Sequence, residues 1–67
     1  MRKHGKLAHK YCGLLLPVKV LQSAAGFFIG TDDSDGVVSR ESEEYWSTQI
    51  EAERVLNSGT WSQRSHP

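Results

Sequence analysis

The chain predicts an α+β fold: a small antiparallel sheet of two to four strands with one helix packed on it. Three observations lead there. Two apolar segments rich in β-formers, GFFIGT and VVSRES, flank the polar, glycine-closed turn DDSDG. Upstream, LLLPVKVLQSA alternates as an imperfect strand. Downstream, TQIEAERVLNSG combines a helix start, an apolar stripe and a helix stop.

The first element is the least structured. MRKHGKLAHKYC shows no sustained period and much charge, so residues 1–16 are expected as a basic, flexible arm, with at most a helical turn over Leu7–Tyr11. The folded mini-domain is expected over residues 17–64, with 65–67 as a tail. In VKVLQS, Val18, Val20 and Gln22 alternate with Lys19, Leu21 and Ser23. Pro17 fits only at the beginning or edge of such a strand.

Gly26–Thr31 is the better strand: Phe27 and Ile29 share one face, Phe28 and Gly30 the other. Val37–Ser42 returns antiparallel to it. The intervening polar residues read as a hairpin loop of about four or five residues. A helix follows at about 48–58. Thr48 is a good N-cap with Glu51 three residues on, the spacing of a capping box. Ala52, Val55 and Leu56 share a face, and Gly59 is the expected left-handed terminator. Thr60–Arg64 has room for a short last strand anchored by Trp61. The expected core is Val20, Phe27 or Phe28, Ile29, Val38, Tyr45, Ala52, Val55, Leu56 and Trp61.

Size and charge bound the function. A chain of 67 residues buries only about 60% of the surface its unfolded form exposes, so a partner subunit would help it. Cys12 is the only cysteine; no disulfide forms within one chain, in keeping with a reducing compartment and a cytoplasmic location. Formal net charge is zero, but residues 1–20 carry Arg2, Lys3, Lys6, Lys10 and Lys19 with no acid. The rest carries Arg40, Arg54 and Arg64 against all 8 acidic residues. Such opposed halves do not make a globally basic nucleic-acid binder. Gly13–Val18 is the longest uncharged apolar run, far short of the ~20 residues that span a bilayer, so no membrane partner is expected. The basic start, LLLPVKVL and SAAG are arranged as in a secretory leader, but Pro17 and Lys19 interrupt the apolar part.

Each chemistry falls short of its requirements. With Gly36 at position 6 of a calcium loop, Thr31 stands at position 1 and Ser42 where a bidentate glutamate is needed; the acidic stretch reads as a turn. His9-x-x-Cys12 has chelate spacing with His4 nearby, but the only other histidine, His66, is at the far end. No metal and no cofactor is expected. Nucleophilic or acid–base catalysis needs rigidly placed groups; the histidines lie in the termini, and Glu43 and Glu44 point apart. No catalytic residue is assigned and no enzyme activity is expected.

Two binding readings remain. The leading one is a protein-interaction or self-associating module, a homodimer or a complex with another protein. Phe27 and Phe28 face opposite ways, and one helix covers one face, so the other needs the N-terminal segment or a second subunit. Phe28, Trp46 and Ile50 are the interface candidates. Ile50 sits almost opposite the Ala52–Val55–Leu56 stripe. Trp46 folds over it, or it meets a second chain. The alternative is a nucleic-acid-binding accessory protein using Arg2, Lys3, Lys6 and Lys10 on the N-terminal arm. Arg40 has Glu51 or Glu53 as potential surface partners.

Finally, the order GFFIGT, SRESEEYW, EAERVL and SGTWSQR over residues 26–64 resembles small uncharacterised proteins of bacteria and of their plasmids and phages. The resemblance implies a sheet-plus-helix unit and brings no activity or site residues. Residues 1–25 lie outside it.

Overall fold

In the computed structural model, which describes residues 4–66, the chain runs α1 (Lys6–Cys12), β1 (Lys19–Ser23), β2 (Gly26–Asp33), β3 (Gly36–Arg40) and α2 (Gln49–Ser58). The strands form one antiparallel meander in the order β1-β2-β3. Helix α2 packs against β1 and β2, and α1 packs against β3. The α+β class holds, with a second helix of 7 residues where at most a helical turn over Leu7–Tyr11 was expected.

Both hairpins turn by the same device. Ser23 and Asp33 each end a strand, two turn residues follow, and a glycine with positive φ opens the next strand: Gly26 at 130° and Gly36 at 125°. In the first turn the Ser23 hydroxyl accepts from the Ala25 amide at 3.2 Å and donates to the Gly26 carbonyl. In the second, Asp33 Oδ1 accepts from the Asp35 amide at 2.8 Å. Such short polar side chains replace a backbone turn bond. The second loop is therefore two residues, shorter than expected, because Asp32 and Asp33 continue the strand. SAAG is the first of these turns.

The register between β2 and β3 slips between Thr31 and Asp32 and leaves Val38 without a partner. After this bulge the chain keeps following β2 in an irregular way. The Glu41 and Ser42 amides both donate to the Ile29 carbonyl, at 2.8 and 2.9 Å, and the Ser42 hydroxyl accepts from the Ile29 amide at 3.0 Å. Trp46 and Phe27 then exchange reciprocal backbone bonds at 2.8 Å. So every backbone group on this side of Phe27 and Ile29 is satisfied without a regular strand.

The two faces of the sheet are closed from within the chain. Phe28 is 4% exposed; the Tyr45 ring meets it edge-on at 5.8 Å, and the Arg40 guanidinium lies 4.5 Å over Tyr45. That stack takes Arg40 away from Glu51 and Glu53, the partners expected for it. On the opposite face Ile29 and Thr31 are fully buried, with the start of α1 against Thr31.

Residues 1–16 thus contain a packed element rather than only an arm: Leu7 is 3% and Ala8 0% exposed. The apolar pair Leu7–Ala8 is too short to give a helical period, which is why the segment reads as loose. Of the expected core, Phe28, Ile29 and Ala52 are buried, Val20, Phe27, Val38, Val55, Leu56 and Trp61 are half-buried, and Tyr45 is exposed. Thr60–Arg64 forms no strand; it makes a single bridge, Ser42 with Gln63.

Candidate functional site

Beyond the core, the residues that matter most for what this molecule can do are a buried acid, the outer face of α2, the basic side of α1 and the outer edge of β1.

Glu41 follows β3 and is fully buried. Its Oε1 accepts from the Leu7 amide at 3.0 Å and the Gln63 carboxamide at 2.7 Å. Its Oε2 accepts from the Leu7 and Ala8 amides at 3.1 Å and from the Ser39 hydroxyl at 2.5 Å. Ser39 spends its one proton on Glu41, so Thr31 donates to Ser39, at 2.6 Å. Burial pushes the Glu41 carboxyl up, but the bonds from Leu7, Ser39, Gln63 and Ala8 outweigh it and hold it below its ordinary 4.5. With both oxygens filled and no access to solvent, this carboxylate has no lone pair to offer a substrate. It is a joint tying α1, β3 and the C-terminal segment together. Sequence reasoning missed it: a glutamate on the same strand side as Val37 and Ser39 gives no hint that the Leu7 amide, 34 residues away, will face it.

Glu44 is a smaller version. Burial raises it, but bonds from the Ser62 amide and hydroxyl, and from its own amide, hold it below 4.5. It fastens the same C-terminal segment, with the Ser62 amide 3.1 Å from Oε1.

The outer face of α2 is set by its cap. The Thr48 hydroxyl accepts from the Glu51 amide at 3.2 Å and donates to Glu51 Oε1 at 3.0 Å. Ser47 also donates to Oε1, at 3.0 Å. This start turns Ala52 inward, fully buried. Ile50 then points out and is 72% exposed, so Trp46 does not fold over it. Gln49, Ile50, Glu53, Arg54 and Asn57 line a shallow open depression there. Glu53 and Arg54 are in no ion pair among the described residues. Of the other two interface candidates, Trp46 is half-buried beside Phe27 and Phe28 lies inside the molecule.

On α1, Lys6 and Lys10 are exposed one turn apart, and the Lys10 ammonium sits 5.4 Å over the Tyr11 ring. Arg2 and Lys3, the other basic candidates, lie outside the described residues. His4, His9 and Cys12 are all exposed. Among the described residues no group of three or more His, Cys, Asp or Glu side chains is placed to hold a metal ion. No helix among them is long and apolar enough to cross a membrane.

The two sides of the sheet end differently. Beyond β3, the C-terminal segment lies along residues 41–43: Arg64 donates to the Glu41 carbonyl at 2.7 Å and Glu43 to the Ser62 carbonyl at 2.9 Å. These bonds meet residues past the end of β3; none among the described residues reaches the outer edge of Gly36–Arg40. On the other side β1 is the last strand, and just before it His4 bridges Pro17, with the Gly5 amide donating to the Leu16 carbonyl at 2.8 Å. Comparison of the chain with protein-family models, with curated proteins and with solved structures returns no match.

Proposed function

We propose that this chain is a self-associating protein-interaction module with no chemistry of its own, working in the cytoplasm. One observation carries the reading: β1 ends the sheet, and among the described residues only its run-in is met, where His4 bridges Pro17. An unpaired edge is a template for another strand, and proteins that do not use one usually cover it. The aromatic face that the sequence leaves in need of a partner is covered within the chain and lends no support, since Tyr45 lies over Phe28. The resemblance to small bacterial, plasmid and phage proteins belongs to the same proposal and names no partner. Light scattering over a wide concentration range tests it. Twice the 7.5 kDa chain mass is the expected plateau; a single-chain mass throughout removes the reading.

A second reading, nucleic-acid binding, is favoured by Lys6 and Lys10 sharing one exposed side of α1 with an aromatic ring beside them. Because α1 belongs to the core, deleting residues 1–12 is no test of it. The double variant Lys6→Gln/Lys10→Gln is. It should shorten retention on a DNA column and flatten the dependence on salt if those side chains meet phosphates. Unchanged retention rejects this reading.

A further inference from the structure

The chain between α1 and β1 turns back on the helix. Gly13, with φ 69°, stops α1, and the Leu14 amide donates to the Ala8 carbonyl at 3.2 Å. Two residues on, the Leu16 carbonyl accepts from the Gly5 amide at 2.8 Å. Residues 14–16 therefore run alongside α1 from its last turn back to its start. Residues 9–15 are exposed without a break, and Leu15 is 66% exposed. Tyr11, Leu14 and Leu15 make the one group of exposed large apolar side chains among the described residues; Val37, Tyr45 and Ile50 stand singly along the chain. A Cβ on Gly13 would meet nothing within 4 Å, so the turn projects into open space. Charge frames these side chains. Lys6 and Lys10 stand on the helix along which the leucines run, and neither is in an ion pair among the described residues. The Lys10 ammonium lies 5.4 Å over the Tyr11 ring. No acidic residue precedes Asp32 in the sequence.

We propose that this loop and the two lysines dock on an anionic lipid surface, with Tyr11, Leu14 and Leu15 entering the interface and Lys6 and Lys10 meeting the headgroups. An exposed apolar group rimmed by polar residues marks a contact with a protein or a membrane. Holding to a bilayer surface takes two signals, apolar insertion and positive charge, because either alone is weak. Both are present here within one doubling-back of the chain. Shape decides between the occupants. A projecting loop offers a folded partner no pocket to fill, whereas a lipid surface needs none. Nucleic acid would use the lysines and the ring but gains nothing from exposed leucines. Two leucines are far too few to span a bilayer; they lie in its surface. The contact does not depend on self-association.

Flotation of the full chain with vesicles tests this. The chain should rise with mixed phosphatidylserine–phosphatidylcholine vesicles and stay behind with phosphatidylcholine alone. Leu14→Ser/Leu15→Ser and Lys6→Gln/Lys10→Gln should each weaken binding about tenfold. Val37→Ser, which removes an apolar side chain 60% exposed on β3, should leave it unchanged. No flotation with the anionic vesicles overturns the proposal, as does equal flotation with both kinds. Binding lost in the lysine pair but kept in the leucine pair also overturns it, leaving the charge attraction that nucleic acid would share. Should a variant fail to fold, the unmodified chain decides through Cys12, its only thiol, exposed beside Gly13. A water-soluble maleimide should label Cys12 about tenfold more slowly once anionic vesicles are in excess; an unchanged rate overturns the docking.

Discussion

Glu41 shows how one residue can hold three segments. Four different groups donate to its carboxylate. Glu41→Ala strips their acceptor in a closed site and should cost about 3 kcal/mol, read as a shift of the urea midpoint. Its titration has a definite sign. The native carboxyl sits below the 4.5 of the unfolded chain. Its stabilisation is therefore whole above about pH 4.5 and is lost as the pH falls through the lower native value. Glu44, lowered in the same way, adds with the same sign. Acid melts should show wild type losing stability over that range, with a shallower loss in Glu41→Gln, whose amide does not titrate there. Gly5 is constrained by the same acid. A Cβ there would stand 2.5 Å from Thr31 Cγ2 and 2.6 Å from Glu41 Oε2, although its φ of −71° suits any residue. Gly5→Ala should lower stability by about 2 kcal/mol, and a thermal melt no lower than wild type would show that the helix can shift instead.

At the scale of elements, the two helices contrast in how they begin. Helix α2 carries its own start signal, Thr48, and its own stop, Gly59 with φ 71° and its amide 2.9 Å from the Val55 carbonyl. Thr48→Ala should cost about 1 kcal/mol, visible as lost helical chemical shifts over the first turn, with the sheet signals in place. Helix α1 has 7 residues and no side-chain cap on Gly5; alone it would be too short to hold in water. Its stop is local, Gly13 with φ 69°, but its start is provided by Glu41 from the end of β3. The strands were readable from alternation, and the second hairpin from a glycine after a short polar run; the first, at SAAG, was not, because two alanines carry no turn signal. The shortness of the Asp33–Gly36 turn was not, because it depends on where pairing stops. The Val38 bulge was hidden for the same reason: alternation through Val37–Ser42 looks regular until β2 is laid beside it.

For the whole molecule, the consequence is that its ends are structural. Leu7 and Ala8 fill the core beside β3, and Ser62–Arg64 close the other side of Glu41. A chain lacking residues 1–12 should lose cooperative unfolding by circular dichroism, since it would orphan a buried carboxylate and open the face over Thr31. A sharp transition in that truncation would mean the sheet and α2 suffice.

The sequence by itself determined the α+β class, an antiparallel hairpin, the position and caps of α2, and the place of Ile50 opposite the helix's apolar stripe. All of these follow from local periodicity and from residues that carry their own backbone preference. Only the tertiary structure decided that the basic N-terminus contains a core helix, that Glu41 is its cap, and that Tyr45 covers Phe28. Each of these depends on groups far apart in sequence meeting at hydrogen-bond or packing distance. Such meetings leave no period along the chain.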